Sequence, residues 1–141
     1  MKLSKQTWSK KRIRPLIDAG DHILVPLTQG FFAVIDCEDR GIAEPWNWLA
    51  WAAANGTMYA KRNAYIGRGK QRLLGLSHAV MGVDSHTLID HRDRDPLNCR
   101  RENLRLATYI ESARNRGTRS DNRCGCKGVS LRHENGSWRA R

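Results

Sequence analysis

The feature that most constrains the fold of this chain is a strand, loop, strand pattern that begins near residue 87. A short apolar run ends in Asp90 and His91, neighbouring residues that point to opposite sides of a strand. Residues 92–102 are too polar and turn-rich for regular structure, which predicts a loop. Residues 103–107 alternate between polar and apolar types, as a returning strand does. Because Asp90 and His91 point to opposite sides of their strand, their carboxylate and imidazole can approach one substrate atom from different sides.

A helix is predicted directly after the second strand. Thr108 and Glu111 have the T-x-x-E spacing of a capping box, in which each side chain bonds the backbone of the other end of the turn. Ser112 lies in the first helical turn, and Asn115 follows three residues later on the same face. If that face packs towards Asp90, the unit forms a small site for one metal ion and one phosphate.

Charge favours a polyanionic partner. The chain has 25 Lys and Arg against 14 Asp and Glu, a formal net charge of +11. Such a surplus favours nucleic acid, because neutralising each phosphate releases counterions. Proteins that bind ribosomes or membranes are also often basic, and basic residues can serve solubility alone. The net charge therefore suggests DNA or RNA as a partner but does not identify the partner.

Other classes are less favoured by the sequence. No apolar run approaches the roughly 20 residues of a membrane-spanning helix, and the basic N-terminus lacks the apolar stretch of a secretory signal. The four cysteines form no C-x-x-C pair, which disfavours a disulfide framework or a four-cysteine zinc site. We expect the cysteine thiols to be reduced. We expect the protein to act on DNA in the cytoplasm of a bacterial or phage-infected cell, with no membrane partner and no small-molecule cofactor.

The region before the motif is predicted to be rich in β-structure. Residues 23–25 and 31–35 are short strand-like runs around a turn at 28–30. The three tryptophans of residues 44–55 are interpreted as core packing or a short helix. Residues 58–66 and 71–76 predict a hairpin with the basic tip Gly-Arg-Gly-Lys, followed by a short helix from His78 to Met81 that Ser77 caps. His78 is interpreted as a buried histidine bonded to the backbone.

These motifs together resemble a known family. The succession D-H, P-L-N, E-N-L-R, A-T and R-N between residues 90 and 115 resembles the HNH homing endonucleases of phage and intron type. The likeness continues upstream through residues 25–48, 58–62 and 76–82. Residues 125–141 resemble the first two strands of the three-stranded APETALA-two-type DNA-binding domain that often follows such nucleases. The resemblance implies hydrolysis of DNA phosphodiester bonds with a divalent metal.

The resemblance also implies roles for residues of the motif. Asp90 corresponds to the family's metal-binding aspartate, which suits Mg²⁺ or Mn²⁺. His91 corresponds to the general base that activates water, and Asn103 to the asparagine that orients this histidine. The second metal ligand is usually an Asn or His on the following helix, where this chain has Ser112. Ser112 is a weaker ligand, and Asn115 is the alternative.

Two other functions stay open at this stage. One is a catalytically weak or silent DNA-binding protein with the same fold, and the other is an RNA- or ribosome-associated basic protein. Homing, packaging and defence roles share the nuclease chemistry, and the target sequence is not readable from the chain. The proposed DNA contacts are cationic residues in loops, on the predicted helix and near the C-terminus: Arg68, Lys70, Arg100, Arg101, Arg105, Arg114, Arg116, Lys127, Arg132 and Arg139.

The sequence therefore predicts an α+β protein in four parts. Residues 1–20 form a basic arm and residues 21–86 a β-rich part of the nuclease domain. Residues 87–118 form the ββα-metal catalytic unit. Residues 119–141 form a partial APETALA-two-like hairpin around an Asn-Gly turn, whose independent folding is doubtful because isolated hairpins are marginally stable.

Overall fold

The computed structural model describes residues 12–118, 122–131 and 137–140. The chain divides into a first unit that ends at Leu106 and a second unit that starts at Ala107. Within the described residues the protein is mixed α and β, with several small antiparallel sheets and short helices. This agrees with the predicted α+β class. None of the helices in the described part has the length and apolar character needed to cross a membrane.

The first sheet contains strands β1 (Ile17–Asp18), β2 (His22–Pro26) and β3 (Phe32–Asp36) in that order. Strands β2 and β3 pair antiparallel around a 3₁₀ turn at Thr28–Gly30, where the sequence predicted two short strands separated by a turn. Their alternate residues, Ile23, Val25, Ala33 and Ile35, are fully buried, because successive side chains of a strand point to opposite faces.

The second sheet contains β4 (Leu49–Ala52), β5 (Met58–Gly67) and β6 (Lys70–Gly75). The β5–β6 hairpin was predicted, whereas β4 lies where a short helix was one interpretation. The tryptophans around β4 divide between core and surface. Trp48 is buried and donates its indole N–H to the Ala43 carbonyl at 3.1 Å, while Trp46 and Trp51 are partly exposed.

Two short helices pack with these sheets, α1 (Arg40–Ala43) and α2 (Leu76–Met81). The prediction that Ser77 caps a helix starting at His78 is wrong. Helix α2 starts at Leu76 after Gly75, and no side chain caps it. Ser77 is buried inside the first turn because Leu76 and Val80 enter the core and fix the rotation of the helix.

Strands β7 (Ile89–His91) and β8 (Leu104–Leu106) form a small antiparallel sheet that closes the first unit. The order strand, loop, strand continues into helix α3 (Tyr109–Asn115), and the division between the units falls before this helix. The predicted boundary at residue 87 therefore lies inside the first unit, and Cys99 and Leu104 belong to its core.

The predicted basic arm is attached to the first unit from residue 12 onwards. The Arg14 guanidinium donates to the Pro26 carbonyl at 3.1 Å and to the Trp48 carbonyl, and the Asn47 amide bonds both the Arg14 N–H and the Arg12 carbonyl. Strand β1 then joins the sheet. The remainder of the arm lies outside the described residues.

The second unit contains α3, β9 (Val129–Leu131) and β10 (Trp138–Ala140). The capping box predicted for α3 is confirmed: the Thr108 side chain accepts from the Glu111 N–H, and the Glu111 carboxylate accepts from the Thr108 N–H at 2.7 Å. Strands β9 and β10 pair antiparallel. The Asn135-Gly136 turn predicted between them lies outside the described residues.

Candidate functional site

The motif residues of the first unit lie on the β7–β8 hairpin and are buried. Asp90, His91 and Asn103 are 9%, 8% and 7% exposed. Burying three polar side chains costs free energy unless each is bonded or has a chemical role. Asp90 lies opposite Arg105 across the hairpin, and His91 lies opposite Leu104. The register of the hairpin therefore places Arg105 beside the Asp90 carboxylate.

Arg105 grips one oxygen of Asp90. The Nε and Nη2 atoms of the guanidinium lie 2.9 and 2.6 Å from Asp90 Oδ2. These two charge-assisted hydrogen bonds give the buried carboxylate a cationic partner and orient it. Arg105 is predicted to contact DNA; in the fold its side chain makes an ion pair within the hairpin and stays partly exposed.

The imidazole of His91 is held in its neutral form. Burial lowers the pKa of His91 below its ordinary value of 6.5, and this outweighs the nearby carboxylates of Asp93, Asp90 and Asp95, which raise it. The neighbouring charge of His78 lowers it further. A neutral imidazole near pH 7 can accept a proton, as a general base must.

Asp93 is the centre of the loop that joins the two strands. Its carboxylate accepts from the Asp95 N–H at 2.8 Å, from the Asn98 side-chain amide at 2.7 Å and from the Asn103 side-chain amide at 2.9 Å. Burial alone would raise the pKa of Asp93, but these hydrogen bonds outweigh it and lower the pKa. The carboxylate is therefore ionised and organises the loop directly after His91.

The role of Asp93 is not among those expected from the sequence. Asp-Arg-Asp-Pro followed by Asn98 is the kind of turn-forming run in which Asx side chains bond backbone two residues ahead, and Asp95 does so by accepting from the Leu97 N–H at 3.0 Å. This run of turn-forming residues predicts the loop, but the prediction did not identify the side chains that hold the loop together. Arg94 adopts a left-handed backbone with φ of 68° there, which is uncommon for a residue other than glycine.

Asn103 bonds the loop at three points. Its amide nitrogen donates to Asp93 Oδ1 at 2.9 Å and to the Asn98 carbonyl at 2.8 Å, and its amide oxygen accepts from the Asp93 N–H at 3.0 Å. Its backbone carbonyl accepts from the Arg92 N–H at 2.9 Å. These bonds go to the residues that follow His91, so Asn103 acts on the backbone that carries the imidazole.

The loop is also fastened to strand β3. The Val34 N–H donates to the Leu97 carbonyl and the Cys99 N–H donates to the Val34 carbonyl, both at 2.8 Å. Cys99 is buried below this contact, and burial raises the pKa of its thiol to about 12. The core therefore positions the site through backbone bonds as well as side-chain packing.

Arg100 and Arg101 contact acidic residues of the first unit, although both were predicted to contact DNA. Arg100 Nε lies 2.8 Å from Asp36 Oδ1, and the Arg101 N–H donates to Asp36 Oδ2 at 2.8 Å. The Arg101 guanidinium grips both oxygens of Asp39 at 2.6–3.2 Å, and Asp39 is only 2% exposed. These arginines neutralise buried or half-buried carboxylates that would otherwise be costly.

His78 was predicted to be a buried histidine bonded to backbone, and this is confirmed for one of its nitrogens. Its Nε2 lies 3.0 Å from the Thr87 carbonyl, which requires a proton on that nitrogen. The opposite nitrogen, Nδ1, is buried and has no hydrogen-bond partner among the described residues.

The other predicted site residues lie on the hairpin tip and in the second unit. Arg68 and Lys70 are exposed at the β5–β6 turn. The Lys127 ammonium donates to the Arg116 carbonyl at 2.6 Å and to the Arg114 carbonyl, so it satisfies the C-terminal end of α3. Of the remaining predicted residues, Ser112 and Asn115 lie on α3 and Arg139 lies on β10. Arg132 lies outside the described residues.

The donor atoms near Asp90 are few. Among the described residues, no group of three or more His, Cys, Asp or Glu side chains converges to hold a metal ion. Such a sparse set still fits Mg²⁺, which usually takes one or two carboxylates and completes its shell with waters and substrate phosphates. It does not fit a structural zinc site, which needs four closely placed protein ligands.

One comparison with known proteins found a match. The family model described as HNH endonuclease matches residues 68–114, about a third of the chain. The matched segment contains β6, α2, the β7–β8 hairpin and nearly all of α3. No curated protein and no solved structure matched the chain. Residues 68–114 are therefore similar to HNH endonucleases, a family of nucleases.

Proposed function

We propose that this protein is a divalent-metal-dependent endonuclease that hydrolyses phosphodiester bonds of double-stranded DNA. The observation that carries the proposal is the β7–β8 hairpin, on which a buried carboxylate and a buried neutral imidazole are adjacent in sequence inside the segment that matches HNH endonucleases. The net charge of +11 supports a polyanionic substrate.

His91 is the proposed general base. Its neutral imidazole accepts a proton from the water that attacks the phosphate, and the burial that lowers its pKa keeps it in the accepting form. Asn103 is a positioning residue, because its side-chain bonds to Asp93 and Asn98 hold the backbone that follows the imidazole. The proposed path from Asn103 to the base is thus through the loop.

Asp90 is the proposed ligand for Mg²⁺ or Mn²⁺. The bound cation would stabilise negative charge on the phosphate and on the departing 3′ oxygen. Arg105 orients Asp90 through one of its oxygens, and a carboxylate oxygen is the kind of ligand that a hard cation prefers. The resemblance described above leaves Ser112 or Asn115 as the proposed further oxygen ligand.

The finer proposal is an enzyme of the phage and intron homing type that acts inside a bacterial cell, either nicking DNA or cutting both strands. It depends on the resemblance of residues 90–115 to that group and on the likeness of residues 125–141 to an APETALA-two-type segment. Cations of the second unit, among them Arg114, Arg116 and Arg139, are proposed to grip the backbone without regard to sequence.

A second candidate is a DNA-binding protein with little or no turnover. Two observations favour it: Ser112 stands where related nucleases have an Asn or His, and one oxygen of Asp90 is already engaged by Arg105. Both candidates bind DNA, and they differ only in cleavage.

Incubation of supercoiled plasmid with Mg²⁺ or Mn²⁺ separates the two candidates. We expect nicked or linear product from the parent protein and none from His91→Ala, while DNA binding by the variant stays within about twofold. His86→Ala is the matched control, since His86 is an exposed histidine of the preceding loop and should cleave like the parent. Binding without any cleavage by the parent would select the silent candidate.

A further inference from the structure

The β5–β6 hairpin extends beyond its own sheet. Strand β4 pairs with β5 only between Met58 and Lys61, whereas β6 pairs with β5 from Lys61 to Gly67. Within the described residues, the part of β5 from Arg62 to Gly67 and the facing part of β6 thus form a two-stranded ribbon. Such a ribbon is marginal in water by itself and gains from a partner surface.

The two faces of this ribbon differ in exposure. One face carries four exposed side chains, two from each strand: Asn63, Tyr65, Gln71 and Leu73. Tyr65 is 69% exposed and Leu73 is 39% exposed. On the other face, Arg62, Ala64, Arg72 and Leu74 are partly buried. The exposed face combines two amides with an aromatic and an aliphatic side chain, and Tyr65 lies opposite Gln71 across the strands.

The charge around the ribbon is mainly positive. The chain has no Asp or Glu between Glu44 and Asp84, and this stretch contains Lys61, Arg62, Arg68, Lys70 and Arg72. Asp84 forms an ion pair at 3.5 Å with Arg72, which lies on the partly buried face of the ribbon. The exposed face and the tip are built from residues without a carboxylate, and the cations of the tip attract a polyanion.

The tip of the ribbon has a defined shape. Gly67, Arg68 and Gly69 all have positive φ, at 91°, 50° and 73°, which makes a tight turn. The Tyr65 hydroxyl accepts a hydrogen bond from the Gly69 N–H at 3.1 Å and holds the turn to the strand. Arg68 and Lys70 are exposed on either side of Gly69, where they can contact phosphates.

We propose that this ribbon enters the major groove of duplex DNA and that its exposed face reads base sequence. The proposal rests on the proposed function, which makes DNA the substrate. Asn63 and Gln71 match the donor and acceptor pair of adenine in the major groove, and Leu73 and Tyr65 match the methyl group of thymine. The ribbon therefore selects A·T pairs while Arg68 and Lys70 hold the adjacent phosphates.

The shape of the ribbon favours duplex DNA over other nucleic acids. The major groove of B-form DNA admits a two-stranded ribbon, whereas the major groove of A-form RNA is too narrow for side chains to read. A single strand would need a row of free aromatic rings for stacking. On the exposed ribbon face Tyr65 is the one aromatic residue, and its hydroxyl is engaged at the turn.

Binding selection from randomised duplexes tests the proposal. The full-length His91→Ala protein is used, so that bound DNA stays intact. We expect a preferred sequence that contains A·T pairs, and we expect Asn63→Ala or Gln71→Ala to lose about tenfold in preference at one or two adjacent positions. Affinity for random duplex should stay within about threefold. Gln29→Gly is the matched control, because Gln29 is an exposed amide at a φ of 61° that glycine adopts without strain.

Salt titration tests the tip. Lys70→Gln should reduce the slope of log affinity against log salt by about one, with base preference unchanged. Arg40→Gln, which changes an exposed cation outside the ribbon, should leave the slope as in the parent.

The outcomes separate this proposal from the proposed function. If the amide variants keep the base preferences of the parent, or the parent has none, the ribbon proposal is overturned even where plasmid cleavage is robust. If the amide variants lose preference while the parent never cleaves plasmid, the ribbon proposal stands and the nuclease proposal fails.

Discussion

At the scale of single residues, the buried polar groups of the β7–β8 hairpin have distinct physical roles. Arg105 pairs with the Asp90 carboxylate, and burial lowers the pKa of His91 and so favours its neutral form. The side chains of Asp93 and Asn103 are hydrogen-bonded to each other and hold the loop that joins the two strands. Each of these groups is less than fully solvated, so a single substitution leaves a partner unsatisfied, and this makes each role measurable.

Asn103 gives the first residue-scale prediction. Asn103→Ala removes three hydrogen bonds made by a buried side chain and leaves the Asp93 carboxylate with one donor fewer. We expect a loss of about 3 kcal/mol in the free energy of unfolding. Urea denaturation measures it. Asn55→Ala removes only one bond of an exposed turn and is expected to cost less than about 1 kcal/mol. Equal losses in the two variants would contradict the role given to Asn103.

Cys99 gives the second prediction. Its thiol is buried, and burial raises its pKa to about 12, so the reactive thiolate is scarce at neutral pH. We expect iodoacetamide to modify the exposed Cys37 in the folded protein and to leave Cys99 unmodified. Peptide mass spectrometry reads the result, and full denaturation should make both react. Rapid labelling of Cys99 in the folded state would show that the loop opens readily.

At the scale of elements, the loop between β7 and β8 is held in place mainly by the first sheet. Backbone bonds join Val34 of β3 to Leu97 and Cys99, and Asp36 at the end of β3 receives both Arg100 and Arg101. The hairpin alone is too short to define its loop. Its geometry therefore depends on residues about 60 positions earlier in the chain.

The Arg101–Asp39 pair gives the element-scale prediction. Arg101→Leu leaves the Asp39 carboxylate buried without its two-pronged partner, and we expect a loss of about 3 kcal/mol in unfolding free energy. Adding Asp39→Asn to Arg101→Leu should recover part of this loss, because the buried charge is removed. Thermal or urea unfolding of the single and double variants measures the coupling. Strictly additive losses would show that the two residues are not coupled.

At the scale of the whole molecule, pH acts on stability through hydrogen-bonded acids and a buried histidine. The pKa of His91 is lowered in the fold, so the folded state binds fewer protons than the unfolded state as pH falls below 6.5. The pKa values of Asp36 and Asp93 are also lowered, which has the same effect below their ordinary value of 3.8. In both windows, acid favours the unfolded state.

We therefore expect the free energy of unfolding to decrease in two steps as pH falls. The first begins below 6.5 and the second below 3.8. His91→Asn should remove the first step and keep the second. Urea denaturation between pH 8 and the acid limit of solubility checks both. A first step that survives in His91→Asn would belong to another histidine and would contradict the neutral, buried state of His91.

The sequence by itself determined most of the local elements and indicated the candidate site residues. Strands β2, β3 and β5 to β8 and the capping box of α3 follow from periodicity and from short-range side-chain to backbone bonds, which adjacent residues fix among themselves. The pattern around Asp90, His91 and Asn103 identified the candidate site for the same reason, since its spacing is a property of the chain.

Only the tertiary structure decided which of these groups meet. Arg100, Arg101 and Arg105 have the composition of a DNA-binding surface in sequence, yet their partners are Asp36, Asp39 and Asp90. Burial likewise set the protonation of His91 and made Asp93 the centre of the loop. Long-range contacts and desolvation depend on which elements pack together, and no local pattern carries that information.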